Sequence, residues 1–376
     1  MDLVSLYNEL ETLSKQEQKS RLLQLEKHDF CHLTELNAML LIDDHPLSGS
    51  QLLTQSIPKS DDVDPTMFLG QMLMGFTIVK LIANSGGMGL IFQGEQRIAC
   101  PETNVETIHK AAIKIVRSTQ LNSSQKRALF FSEASMLMTL EHPNVCSIYG
   151  VSEVLGHSCI VMDFIDGVPL DVWVSQQPHN KNSKSKHEGL KIFKQVLGAM
   201  SYLHCRDVFH GDIKPQNIMV TDLGRVVLID LGLAFKKQVD GTKAIGTDIK
   251  AFSRHWSAPE QIMGQDRSAK SDVYSLGIVL NYLLTGYADV TENRVKQPEL
   301  NALINKAIAK DPTKRFMNAA DFMTRIDAYS EGLPIDEYSK HRVYQLIKLL
   351  RRKPFTCLTS ALVIYSIFTS LWIILH

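Results

Sequence analysis

The chain has 376 residues, 44% of them apolar and 21% charged, with equal numbers of basic and acidic side chains. That length suits one two-lobed domain of about 250 residues plus flanking segments, and the composition excludes a chain disordered throughout. Zero net charge leaves no electrostatic footprint for nucleic acid. The scattered cysteines (Cys31, Cys100, Cys146, Cys159, Cys205, Cys357), without a C-x-x-C pair, fit a reducing compartment rather than a disulfide framework or a zinc site.

The N-terminus carries Asp2, Glu9 and Glu11 and no apolar h-region, so it is not a secretory signal. Leu3, Leu6, Leu10 and Leu13, then Leu22, Leu25, Leu33, Leu36 and Leu40, recur at helical spacing. Residues 1–60 are expected to form a helical extension that could bind a partner, and 61–72 a polar linker. From 73 to 115, apolar positions alternate with glycine and polar turns, as in strands. A helical stretch covers 123–140, and Cys159-Ile160-Val161-Met162 is strand-like. Beyond it the pattern is mainly helical, with a polar segment, 176–188, expected as a solvated loop. Residues 329–353 form a basic segment ending in Lys348, Arg351, Arg352 and Lys353. Residues 354–375 are uncharged and apolar, long enough as a helix to span about 30 Å of bilayer core. The basic collar would keep everything before it in the cytoplasm.

Five motifs carry chemistry. Asn84-Ser85-Gly86-Gly87-Met88-Gly89 is a glycine-rich turn whose backbone N–H groups can approach phosphate oxygens. Lys114 follows on a strand, at the place from which an ammonium reaches the α- and β-phosphates, and Glu133 on the next helix can hold it. His210-Gly211-Asp212-Ile213-Lys214-Pro215-Gln216-Asn217 sets a carboxylate, a lysine and an amide on one loop. Asp212 can accept a hydroxyl proton, Lys214 can stabilise a moving phosphoryl group and Asn217 can ligate magnesium. Cys205-Arg206-Asp207, just upstream, lacks that downstream spacing and reads as a plain turn. Asp230-Leu231-Gly232, at a strand end, offers a second metal ligand. Ala258-Pro259-Glu260, Asp272-Val273-Tyr274-Ser275-Leu276-Gly277 and Arg315 form a structural set, in which Glu260 and Arg315 are candidates for a buried ion pair.

In this order the motifs resemble the eukaryotic-like serine/threonine protein kinases, those of bacteria most closely, over about residues 73–328. The resemblance implies an α+β fold of two lobes, a small β-rich N-lobe (73–164) and a larger helical C-lobe (165–328). It implies transfer of the ATP γ-phosphoryl group to Ser or Thr of protein substrates, with magnesium or manganese. Met162 would be the gatekeeper, and Asp163, Phe164 and Ile165 the hinge meeting adenine. Ile91, Ala112 and Met219 would enclose the ring, Asp212 would be the base, and Asn217 and Asp230 the metal ligands. The whole would be anchored at the cytoplasmic face of a bacterial inner membrane. An inactive scaffold of the same fold is the alternative, disfavoured because Lys114, Glu133, Asp212, Asn217 and Asp230 are all present. The family's catalytic-loop arginine is Gly211 here, which implies activity independent of an activation-loop phosphate at Thr242, Thr247 or Ser253 unless Arg254 or Lys250 supplies the charge. The helix that often docks substrates looks short between 286 and 303.

Overall fold

The computed structural model describes residues 64–84, 89–99, 106–116, 124–177, 183–230, 235–236, 255–265, 267–290, 295–339 and 341–352, with scattered positions from 359 to 372. For 124–129, 133, 183–185 and 235–236 it describes the backbone alone. The expected N-terminal extension, residues 231–234 and residues 237–254 lie outside these residues.

The small lobe is a six-stranded antiparallel sheet in the order β1-β2-β3-β4-β6-β5. Its strands are β1 Met72–Leu73, β2 Phe76–Asn84, β3 Leu90–Ala99, β4 Glu106–Ile115, β5 Ile148–Val154 and β6 His157–Asp163, with helix α1 Ser124–Leu137 between β4 and β5. Strand alternation decides which face is core. Phe92, Ala111, Ile113, Ile115, Cys159 and Val161 are buried together. Period two then puts Ile91, Ala112, Lys114, Ile160 and Met162 on the opposite face, where the register pairs Ile91 with Lys114, Lys114 with Ile160 and Ala112 with Met162.

The lobe begins earlier than the sequence suggests. A 3-10 helix, Pro65–Phe68, is capped by the Asp64 carboxylate accepting from the Thr66 N–H. It inserts Phe68, fully buried, edge-on to Phe92 with ring centroids 5.7 Å apart. Within the expected linker, Phe68 therefore belongs to the core of the lobe and Met72 to its first strand.

The large lobe packs α3 Ser183–His204, α5 Ala269–Thr285, α6 Pro298–Ala307 and α7 Ala319–Ser330 around one apolar core, with the shorter β7 Val168–Pro169, α2 Leu170–Ser175, β8 Val208–Phe209, β9 Ile218–Val220, β10 Val226–Leu228, β11 Phe235–Lys236 and α4 Pro259–Ile262 alongside. Val273, Leu276, Val279, Leu280 and Leu283 line one side of α5, and Ile278, Asn281 and Leu284 are buried on the others, so the helix is enclosed nearly all round, as befits its central place. Ser268 caps its start and Gly286, with φ of 90°, its end. Helix α3 begins at Ser183, so the expected loop is shorter than 176–188. Polarity alone does not separate a loop from the solvated first turns of a helix.

The turn His142-Pro143-Asn144 ties the lobes together. The Leu228 N–H donates to the Asn144 carbonyl (2.8 Å) and the Cys146 N–H to the Leu228 carbonyl (2.9 Å). The Asn144 side-chain amide donates to the Val226 carbonyl at 2.6 Å.

A last helix, α8 Arg342–Arg352, docks on Glu299 of α6. Among the described residues no helix is long and apolar enough to cross a membrane. The segment 354–375 lies largely outside them.

Candidate active site

The two lobes meet where the Lys114 face of β4 approaches the end of β10. Of the glycine-rich turn, Asn84 closes β2 and Gly89 precedes β3; Ser85, Gly86, Gly87 and Met88 lie outside the described residues. Gly89 is required: its φ is 123°, and a β-carbon there would sit 2.2 Å from the Ile115 carbonyl oxygen. That close approach brings Gly89, at the entry to β3, against the end of β4, the strand that carries Lys114.

Lys114 is buried and forms an ion pair with Asp230. Glu133 lies on α1, but its side chain is outside the description, so the partner observed for Lys114 is Asp230. The Asp230 backbone is left-handed, with φ of 59°, which turns its carboxylate out of the β10 line into the cleft. Burial works to raise the Asp230 carboxyl pKa, but the Lys114 ammonium, with weaker help from His210 and Lys214, outweighs it and holds the carboxyl below the usual range.

On the loop between β8 and β9, Asp212 Oδ2 receives Lys214 Nζ at 2.8 Å and the Asn217 amide at 3.2 Å. The same amide donates to the Asp212 carbonyl at 2.9 Å. Asn217 thus uses its nitrogen within the loop, leaving its oxygen as the end suited to a cation. An amide oxygen and an ionised carboxylate are hard donors that fit Mg²⁺. With Oδ2 committed, Oδ1 of Asp212 is the atom that can take a hydroxyl proton. The Ile229 N–H donates to the Asn217 carbonyl (2.9 Å), coupling the loop to the Asp230 strand.

The loop is held from below by Asp272, buried at the start of α5. Its carboxylate accepts from the backbone N–H groups of His210 (2.9 Å) and Gly211 (2.8 Å) and from His204 Nε2 (3.0 Å). His204 Nδ1 accepts from the Ala319 N–H at 3.1 Å, so its proton sits on Nε2 and points at Asp272. Gln261 adds a second brace: its amide donates to the Gly211 carbonyl (2.9 Å) and accepts from the Ala258 N–H (3.1 Å). The upstream Cys205-Arg206-Asp207 is a plain turn, with Asp207 left-handed at φ 56° and Arg206 stacked on Tyr202.

At the lobe connection the Asp163 N–H donates to the Ser147 carbonyl at 2.9 Å, and the Tyr149 hydroxyl donates to the Asp163 carboxylate. Lys110 lies over the Phe164 ring, 5.5 Å from its centroid; Ile165 follows at half-buried exposure. A small pocket behind Met162 is lined by Lys114, Leu137, Cys146, Ile148, Ile160 and Asp230. Burial, and then Asp163, push the Cys146 thiol up to about 12, so it is an apolar wall rather than a nucleophile. Met219 turns out of the large-lobe core formed by its neighbours Ile218 and Val220.

Glu260 and Arg315 form the expected buried pair, a two-pronged contact of 2.6 and 2.8 Å. The remaining guanidinium hydrogens go to the carbonyls of Ala309, Lys270 and Lys310. Sequence reasoning missed the roles of Asp272, Gln261, His204, Tyr149 and Arg267. Of these, only Asp272 stood inside a quoted motif.

Residues 91–359 match the protein kinase domain family. The chain belongs to that family. Its kinase domain is 30% identical over 272 residues to the probable serine/threonine-protein kinase PknB of Lactococcus lactis, covering 67% of this chain and 41% of that protein. It is 30% identical over 289 residues to the serine/threonine-protein kinase PrkC of Bacillus subtilis, covering 70% of this chain and 42% of that one. The chain thus spans about two fifths of the length of these relatives. The kinase domain of Mycobacterium tuberculosis PknI superposes with a TM-score of 0.54 at 22% identity, over 69% of this chain and 98% of that domain, a likeness of fold.

Proposed function

We propose that this kinase domain transfers the γ-phosphoryl group of ATP to serine or threonine hydroxyls of proteins. The observation that carries the reading is the ion pair of buried Lys114 with Asp230 beside the hydrogen-bonded set Asp212, Lys214 and Asn217. In this reading Lys114 holds the α- and β-phosphates, Glu133 steadies Lys114, and Asn217 and Asp230 hold the magnesium that offsets phosphate charge. Lys214 stabilises the moving phosphoryl group, and Asp212 orients the acceptor hydroxyl and takes its proton. Ile91, Ala112 and Met219 enclose adenine, and the backbone of Asp163 to Ile165 meets its edge beside Met162. The uncharged segment 354–375 anchors the chain, with the kinase domain on the cytoplasmic side, and residues 1–60 form helices that engage a partner.

The test is incubation of the purified chain with γ-labelled ATP and Mg²⁺ or Mn²⁺, followed by phosphoamino-acid analysis. Label on phosphoserine or phosphothreonine is expected. Label on tyrosine alone, or none with either metal on itself or on a generic protein acceptor, would overturn the reading.

A further inference from the structure

We infer that α8 lies flat on an anionic lipid surface and seats the large lobe against it. The inference rests on the proposed membrane attachment and adds a second, interfacial contact to it.

Helix α8 is amphipathic in the reverse of the usual sense. Its polar side meets the domain: the Tyr344 hydroxyl donates to Glu299 Oε1 at 2.7 Å and Lys348 Nζ reaches the same carboxylate at 2.8 Å. The Tyr344 hydroxyl also accepts from the Ile335 N–H at 3.1 Å, so the helix is fixed in rotation. Tyr344 and Lys348 are four residues apart and share one face. Val343, Leu346, Ile347 and Leu350 recur at the i, i+3, i+4, i+7 spacing on a face turned away from that pair and are 68, 54, 44 and 44% exposed, while Leu346 and the 45%-exposed Leu349 also line a cavity beside Gly332, Leu333 and Pro334. A helix that only completed a soluble fold would bury those four.

Charge says what covers the stripe. Arg342, Arg351, Arg352 and Lys353 accompany it, and no Asp or Glu follows Glu337 in the sequence. An apolar ridge flanked by cations, without acids, matches the boundary between anionic headgroups and acyl chains. A second copy is a poor match, because two stripes face to face would bring like charges together. The stripe also leads directly into the uncharged segment 354–375.

The test uses the full chain with Cys31, Cys100, Cys205 and Cys357 replaced by serine and one new cysteine carrying an environment-sensitive fluorophore. The positions are Leu346→Cys on the stripe, Gln345→Cys off it and Leu362→Cys in the proposed anchor. The protein is presented to vesicles of phosphatidylcholine with or without phosphatidylglycerol, and activity on a soluble peptide verifies folding. The label at 346 should shift to the blue and be quenched by a lipid-borne quencher on the anionic vesicles, lose most of that shift in high salt, and respond weakly on neutral ones. The label at 345 should stay aqueous. An aqueous label at 346 beside a shifted label at 362 would overturn the inference and leave the anchor standing. Aqueous labels at both would overturn both, and a shift at 346 alone would uphold the inference against the anchor. An equal shift on neutral vesicles, or one that grows with protein concentration without lipid, would also overturn it.

Discussion

The side chain of Arg267 lies across the α-carbon of Gly211. A β-carbon on Gly211 would come within 2.5 Å of Arg267 Cδ and 2.8 Å of Nη1. Gly211 also has φ of 73°, a conformation costly to any other residue there. The catalytic loop therefore does not simply lack a guanidinium: one reaches Gly211 from the loop before α5. Lys250 and Arg254, the substitutes expected from sequence, lie outside the described residues. Restoring the family's arginine by Gly211→Arg should accordingly lower kcat at least about tenfold, through strain of about 1–2 kcal/mol and collision with Arg267. The double variant Gly211→Arg/Arg267→Ala should recover part of the loss. Steady-state kinetics beside thermal melts decide it, and full activity in the single variant would refute the arrangement.

The Lys114–Asp230 pair sets a pH dependence. The Asp230 carboxyl is held below its ordinary range, so the pair's contribution is present above the unfolded carboxyl's pKa and lost as pH falls through the lowered native value. Magnesium-dependent ADP binding by the wild type should then show no loss from Asp230 protonation between roughly pH 8 and 5. Lys114→Met removes the strongest charge opposing burial and raises that carboxyl, so the metal-dependent part of its residual binding should weaken toward the acid end. Calorimetric titration across the range tests this; parallel pH profiles for the two proteins would contradict it.

Glu260 and Arg315 are nearly inaccessible, 7 and 4% exposed, and hydrogen-bonded at every guanidinium donor. Glu260→Ala strands a buried cation and should cost about 3–5 kcal/mol, seen as a Tm lower by on the order of 10 °C. Arg315→Lys should not rescue stability, because an ammonium cannot make the two-pronged contact. A Tm within about 2 °C of wild type for Glu260→Ala would show that the pair does not support the fold.

Deleting residues 354–376 should release an active kinase from salt-washed membranes, since every described active-site residue lies before α8. Cell fractionation is the check. A truncated protein that resists both salt and carbonate extraction would place the anchor elsewhere.

The chemistry was legible where it is local. Asp212, Lys214 and Asn217 share one loop, and their spacing placed them together. Ala112 and Met162 were reached through the family resemblance, and only the strand register shows that they share a face with Lys114. Glu260 and Arg315, 55 residues apart, were legible only as a pair of motifs. What periodicity does not encode is which distant groups meet. Asp272 grips the Gly211 backbone from 61 residues away, and Arg267 and Gln261 reach the same glycine from a loop and a short helix. Phe68 looked like part of a linker because it follows the acidic run Asp61 to Asp64, and the three-residue apolar run Met67-Phe68-Leu69 is too short for a period that reveals which member is buried. The start of α3 was hidden by the polarity of its first turns.

The central claim is that Asp212 serves phosphoryl transfer from ATP. Its most direct test is single-turnover transfer of labelled γ-phosphate to a Ser- or Thr-containing peptide by wild type and Asp212→Asn, at nucleotide concentrations that saturate both. Asn can keep the contacts of the loop but takes no proton. The rate is expected to be at least about a hundredfold lower in Asp212→Asn with ATP affinity retained. Near-wild-type transfer by the variant, with contaminating kinase excluded, would contradict it.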